Sequence, residues 1–147
     1  MTAQVAMAIG IGLAASIEDL AFRRVSNWIP AAGLICGLCW HTAVAGWRGV
    51  LTAAAGAAAG FGVFLIFYFL GGMGGGDVKL MAGLGSLLGA GRLVEAALWT
   101  AAVGGLMAVG FLAFRAFRRK SGPETESIPY APAIAIGAWL SLIPKGG

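Results

Sequence analysis

Gly71-Gly72-Met73-Gly74-Gly75-Gly76-Asp77-Val78-Lys79-Leu80 sets five glycines and a methionine directly before a lone carboxylate, between two long apolar runs. Glycine has no Cβ, so such a backbone tolerates positive φ and lets another chain lie against it. An acid beside membrane segments is costly and is a functional hypothesis by default. The stretch therefore reads as a place where something approaches the backbone closely. The question is what Asp77 works with.

The rest of the chain makes the membrane setting clear. Of its 147 residues 59% are hydrophobic and 11% charged, against about 45–50% and about 25% in ordinary soluble domains. The composition implies an all-α, polytopic integral membrane protein, with residues 1–147 forming one membrane-embedded domain. A net charge of +4 could point to nucleic acid, but no basic face is interleaved with aromatics. The basic residues fall between apolar runs and read as topology signals, so no nucleic-acid partner is expected. No Lys or Arg precedes Arg23. The first apolar run thus lacks the basic start of a secretory signal and is expected to be a retained helix.

A spanning helix needs roughly 20 apolar residues, and about six such segments can be marked out. They run from Thr2 to about Glu18, Trp28 to about Trp47, Leu51 to Leu70, Val78 to about Ala90, Leu93 to Phe114, and Ile128 to Ile143. Trp28, Trp40 and Trp47 fit interfacial anchors. Gly56 and Gly60, like Gly85 and Gly89, form small-xxx-small pairs that let helices pack closely. With six crossings, Arg23, Arg24, Lys79, Arg115, Arg118, Arg119 and Lys120 share one side, and Arg48, Arg92 and Lys145 the other. The richer side should be cytoplasmic.

Among the acids, this topology puts Asp19 and Asp77 at the same cytoplasmic depth. Glu95 lies one helical turn from Arg92 and fits a surface ion pair, while Glu124 and Glu126 fall in a charged loop. Two carboxylates brought together cannot both ionise cheaply, so one keeps a proton at neutral pH. Such a pair suits peptide hydrolysis: the ionised acid takes a proton from water and the neutral one polarises the carbonyl, with no metal or cofactor needed. A plainer reading stands beside it. Asp77 could cap a helix, and Asp19 could end one beside Arg23.

Three segments then resemble one family. Asp19-Leu20 followed by Arg23-Arg24-Val25-Ser26-Asn27 resembles the first signature of the type IV prepilin peptidases. Gly74-Gly75-Gly76-Asp77-Val78-Lys79-Leu80 is similar to their GxGD motif, and Ile128-Pro129-Tyr130-Ala131-Pro132 to their late Ile-Pro-Phe/Tyr-Gly-Pro segment. The resemblance implies a membrane aspartic endopeptidase, with Asp19 and Asp77 as its catalytic pair and Gly74, Gly75, Gly76 and Lys79 at the substrate approach. It would remove the short basic leader of prepilins or pseudopilins at the cytoplasmic face of the bacterial inner membrane. The chain looks most like the small peptidases of tight-adherence (Flp-type) pili. It lacks the insertion with two CxxC pairs found in bifunctional members, so no N-methylation is expected. Ser26 stands where proline is usual, which leaves that loop freer, while the Asp-to-Asn spacing is kept.

Other classes make different expectations. A small ion- or proton-coupled transporter would carry acids near mid-membrane, and an inactive assembly protein would have no need of both aspartates. Cys36 and Cys39 have CxxC spacing but no second pair, so they read as small core residues and not as a metal site. His41, the single histidine, reads as a rim residue. Lys79 reads as an anchor or as a partner for a carboxylate or lipid phosphate. By the helix dipole, Asp77 at a helix start favours the anion, leaving Asp19, at a helix end, to carry the shared proton.

Overall fold

A computed structural model describes residues 2–70, 73–118 and 130–143, and no strand occurs among them. The helices in these residues are α1 (Thr2–Phe22), α2 (Trp28–Phe69), α3 (Gly75–Leu88), α4 (Ala90–Arg118) and α5 (Ala131–Ser141). The 42 residues of α2 are two limbs, because Gly46 takes φ 58° and ψ −138°, a conformation open to a residue without Cβ. The chain reverses there. A Cβ built on Gly49 would run into the His41 carbonyl oxygen, whereas residues eight apart in a straight helix are separated by about 12 Å.

The short helix α3 lies between those limbs. The first limb (28–45) runs parallel to it, with Pro30 and Gly33 against Gly83 and Gly37 against Ser86. The second (47–69) runs antiparallel, with Gly56 against Gly85 and Gly60 against Met81. Each of these glycines faces backbone atoms of the opposing helix, so the axes come closer than any side chain would allow. Lipid tails are as apolar as leucine, so van der Waals contact is what holds such helices together. Leu80, Met81, Leu84 and Leu87 fill the remaining space and are fully buried. A helix apolar on all sides belongs in the centre of a bundle.

Helix α5 completes the core by lying antiparallel to both α1 and α4. The Trp139 indole N–H donates to the Ala8 carbonyl at 3.0 Å, Gly12 faces Ala135 and Trp139, and Gly104 faces Tyr130 and Ala133. Ile17, Leu20, Ile35, Leu51, Ile66, Leu98 and Leu106 point outward and are exposed. So much outward apolar surface is a liability in water and a requirement in lipid. The protein is an all-α integral membrane protein.

The expected segments are present with shifted ends. α1 continues through Asp19 to Phe22, since no Gly or Pro interrupts good helix formers there. α4 takes in Arg115 and Arg118, where the sequence reading expects a loop. Among the described residues three helices are long and apolar enough to cross a membrane. α3 and α5 have 14 and 11 residues, about 21 Å and 16 Å of helix, against a hydrocarbon core of about 30 Å. Trp28 opens the first limb and Trp47 opens the second, and both are exposed, as anchors should be, but Trp40 packs against the core. Cys36 also touches the core, whereas Cys39 is exposed. Ile128, Pro129, Glu124, Glu126 and Lys120 lie outside the described residues.

Candidate active site

Asp77 owes its position to the way α3 begins. Gly74 is extended (ψ 156°) and precedes the first turn. The Asp77 N–H donates to the Gly74 carbonyl at 3.1 Å, and the Gly74 N–H donates back to Asp77 Oδ2 at 3.3 Å. This is the carboxylate half of a capping box. Asp77 therefore caps α3, as the plainer reading expects, and capping does not exclude a chemical role for the same carboxylate.

Asp19 sits one turn before α1 ends. The Arg23 N–H closes that turn on the Asp19 carbonyl at 2.9 Å, and Arg23 itself adopts φ 52°. A left-handed non-glycine residue costs roughly 1–2 kcal/mol, so neighbouring contacts must hold it. The side chain of Asp19 reaches a different helix: its Oδ2 accepts the Ala131 N–H at 3.1 Å. Ala131 opens α5, and Pro132 occupies the same first turn, where proline's fixed φ suits a helix start. Asp19 therefore also lies at a helix N-terminus. The expected difference between a helix start and a helix end does not separate the two acids.

Both aspartates are buried to 8% exposure and line one cleft of ≈ 290 Å³. Arg23, Arg24 and Val25 form one wall, and Gly74, Gly75 and Gly76 the other. The acids are close enough for the charge of Asp19 to act on Asp77. A Cβ on Gly74, Gly75 or Gly76 would meet its nearest neighbour at 3.6, 3.7 and 3.4 Å, ordinary contacts that lack the backbone-on-backbone closeness of the α2–α3 glycines. Lys79 does not line the cleft. Its Nζ donates to Asn27 Oδ1 at 3.0 Å, tying the loop after α1 to the start of α3.

The opposite end of the bundle is chemically plain. Gln4 Nε2–H donates to the Leu87 carbonyl at 2.6 Å, and His41 Nε2 lies 3.0 Å from the same oxygen. They satisfy an acceptor that the end of α3 leaves without a helical partner. His41 is therefore remote from the acids. Beside the cleft lies an apolar groove of ≈ 210 Å³ between α2 and α4, lined in part by Phe64, Phe67, Met73, Ala97, Ala101 and Tyr130.

Sequence reasoning had not assigned the backbone N–H of Ala131 as the partner of Asp19, nor Glu18 as the acceptor of the Ser26 N–H at 2.8 Å. Pro132 was the available signal for the first, since it marks a helix start with free N–H groups. For the second, only the missing proline at position 26 offered a hint.

Comparison with known proteins bears on the same residues. A prepilin leader peptidase/N-methyltransferase of Bacillus subtilis (strain 168) is 31% identical over 147 aligned residues, covering 92% of this chain and 53% of its own. The protein of that name from Aeromonas hydrophila is 36% identical over 72 residues, 49% of this chain and 23% of its own. The chain thus spans about half the length of one curated relative and a smaller share of the other. No solved structure matches it. The profile of the type IV leader peptidase family matches residues 6–109, a stretch that contains Asp19, the loop after it and the glycine-walled start of α3, and the chain belongs to that family.

Proposed function

We propose that this chain is the peptidase that removes the short basic leader from prepilin-like proteins, using Asp19 and Asp77 to activate water. One observation carries the reading. Two buried carboxylates from distant parts of the sequence face the same glycine-walled cleft, each steadied through Oδ2 by a backbone N–H. In such a pair the ionised acid takes a proton from water as the water oxygen attacks the scissile carbonyl carbon. The protonated acid hydrogen-bonds the carbonyl oxygen, and the tetrahedral intermediate then releases the amine, which leaves with a proton. The glycine wall leaves room for an extended peptide backbone. The adjoining groove offers an apolar surface to the hydrophobic helix that follows the leader.

The distribution of charge supports a cytoplasmic site. Arg23, Arg24 and Lys79 are at the cleft end of the bundle and Arg48 and Arg92 at the other, which fits the positive-inside bias. Six crossings would follow, with α3 and α5 buried among longer neighbours that shield their ends. The substrates are pilins or pseudopilins of a tight-adherence type, and the membrane is the bacterial inner membrane. Methyl transfer lies outside this reading: the mature terminus produced by this chain should carry no added methyl group by mass spectrometry.

The decisive experiment is co-expression with a candidate prepilin, scoring leader removal on a gel. Asp19→Asn and Asp77→Asn should each abolish processing while the protein still accumulates in the membrane. Normal processing by either variant would sink the aspartyl mechanism.

A further inference from the structure

Glu18 precedes Asp19 on α1, and a helix turns successive side chains about 100° apart. Asp19 thus enters the cleft while Glu18 points along the loop that follows. There Glu18 Oε2 accepts the Ser26 N–H at 2.8 Å, and the Ser26 hydroxyl and the Trp28 indole act on the same carboxylate. The bond closes residues 18–26 into a ring. Inside the ring lie Arg23, Arg24 and Val25, which wall the cleft, and Val25 packs over Gly76. The left-handed Arg23 is part of the same ring and is strained, so it persists only where its surroundings fix it.

We propose that Glu18 is a positioning residue, whose carboxylate clasps the Ser26 N–H and so holds the Arg23–Val25 wall against the catalytic cleft. Position 26 explains why this chain needs the clasp. Proline has no N–H to donate and would stiffen the loop through its own fixed φ. Serine lacks that stiffness but supplies a donor, and a charged acceptor makes the bond stronger than a neutral one. The clasp and the proline are alternative ways to hold one loop. The role in catalysis rests on Asp19 and Asp77 being the catalytic pair.

The test uses the full chain in detergent micelles with a prepilin substrate, comparing wild type, Glu18→Ala, Glu18→Gln, Ser26→Pro and the Glu18→Ala/Ser26→Pro double variant. Initial rates give kcat and KM, and limited trypsin nicking after Arg23 and Arg24 reports loop opening without any need for activity. Glu18→Ala should lower kcat/KM about 10-fold and speed nicking several-fold. Glu18→Gln keeps an oxygen acceptor and should recover most of both. In the Glu18→Ala background, Ser26→Pro should raise kcat/KM, although it lowers it in the wild-type background. Wild-type rates and nicking in Glu18→Ala would overturn the clasp, as would a Glu18→Gln variant no better than alanine. Faster nicking with unchanged kinetics would overturn the positioning role. A wild-type chain that processes no prepilin would overturn the peptidase reading, while the nicking result would still decide the clasp.

Discussion

Two groups of glycines in this protein have opposite uses. Gly33, Gly37, Gly56, Gly60, Gly83 and Gly85 sit where a Cβ would be driven into the backbone of a facing helix. Gly74, Gly75 and Gly76 sit where a Cβ would meet only ordinary contacts, beside two buried acids. The first group removes space between helices, and the second keeps space beside a site. Both follow from the same missing atom, so glycine content alone cannot tell them apart. What differs is the neighbour: a helix backbone at one and a cleft at the other.

Substitution should separate them. The largest effect is expected for Gly56→Val, whose side chain would enter the space of the Gly85 carbonyl. Overpacking commonly costs about 1–3 kcal/mol, and a backbone obstacle that cannot rotate away belongs at the upper end. The variant should fail to accumulate in the membrane fraction on an immunoblot. Gly75→Ala makes the opposite demand. Its Cβ would lie 3.7 Å from the Tyr68 ring, and alanine is about 1 kcal/mol better in a helix, so thermal stability should hold or rise. Leader cleavage should nevertheless fall about 10-fold if a substrate backbone lies against that wall. Unchanged cleavage would break the second half of the comparison.

A smaller effect is expected from Lys79→Met, which removes the hydrogen bond to Asn27 at an exposed position. A typical net loss is about 1 kcal/mol, visible as a shift of a few degrees in melting temperature. Cleavage should drop less than for Gly75→Ala, because Lys79 ties the cleft's two walls together from outside. A loss of cleavage equal to that of Asp77→Asn would assign Lys79 a direct role instead.

These two groups were not equally legible from sequence. Apolar run length located every helical segment to within a few residues, because the bilayer leaves few alternatives. The Gly56–Gly60 spacing announced a close contact, and the structure supplies its partners in Gly85 and Met81. The matching pair Gly33 and Gly37, which packs on Gly83 and Ser86, lies in the run that contains Cys36 and Cys39, where the cysteine spacing is the more conspicuous pattern. Shared depth and family resemblance brought Asp19 and Asp77 together, but no local pattern could show Asp19 accepting a hydrogen bond from Ala131, 112 positions away. The partner of Lys79 was hidden for a related reason. A long cationic side chain can reach many partners, and its choice of Asn27 depends on how the loop after α1 lies across α3.

The smallest expected effect tests whether the comparison exhausts the glycines of α2. Gly62 comes six residues after Gly56 and two after Gly60, which turns it to a different face of the helix; it points outward, and a Cβ there would find nothing within 4 Å. It belongs to neither group. Gly62→Ala should therefore cost no packing and gain at most about 1 kcal/mol of helix propensity, with cleavage unchanged. Its melting temperature in detergent and in lipid should match or slightly exceed that of the parent. A clear loss of stability in lipid alone would mean that Gly62 meets another surface in the bilayer. In that event close packing through glycine would extend beyond the fold of a single chain, and the packing group would have to be enlarged to include it.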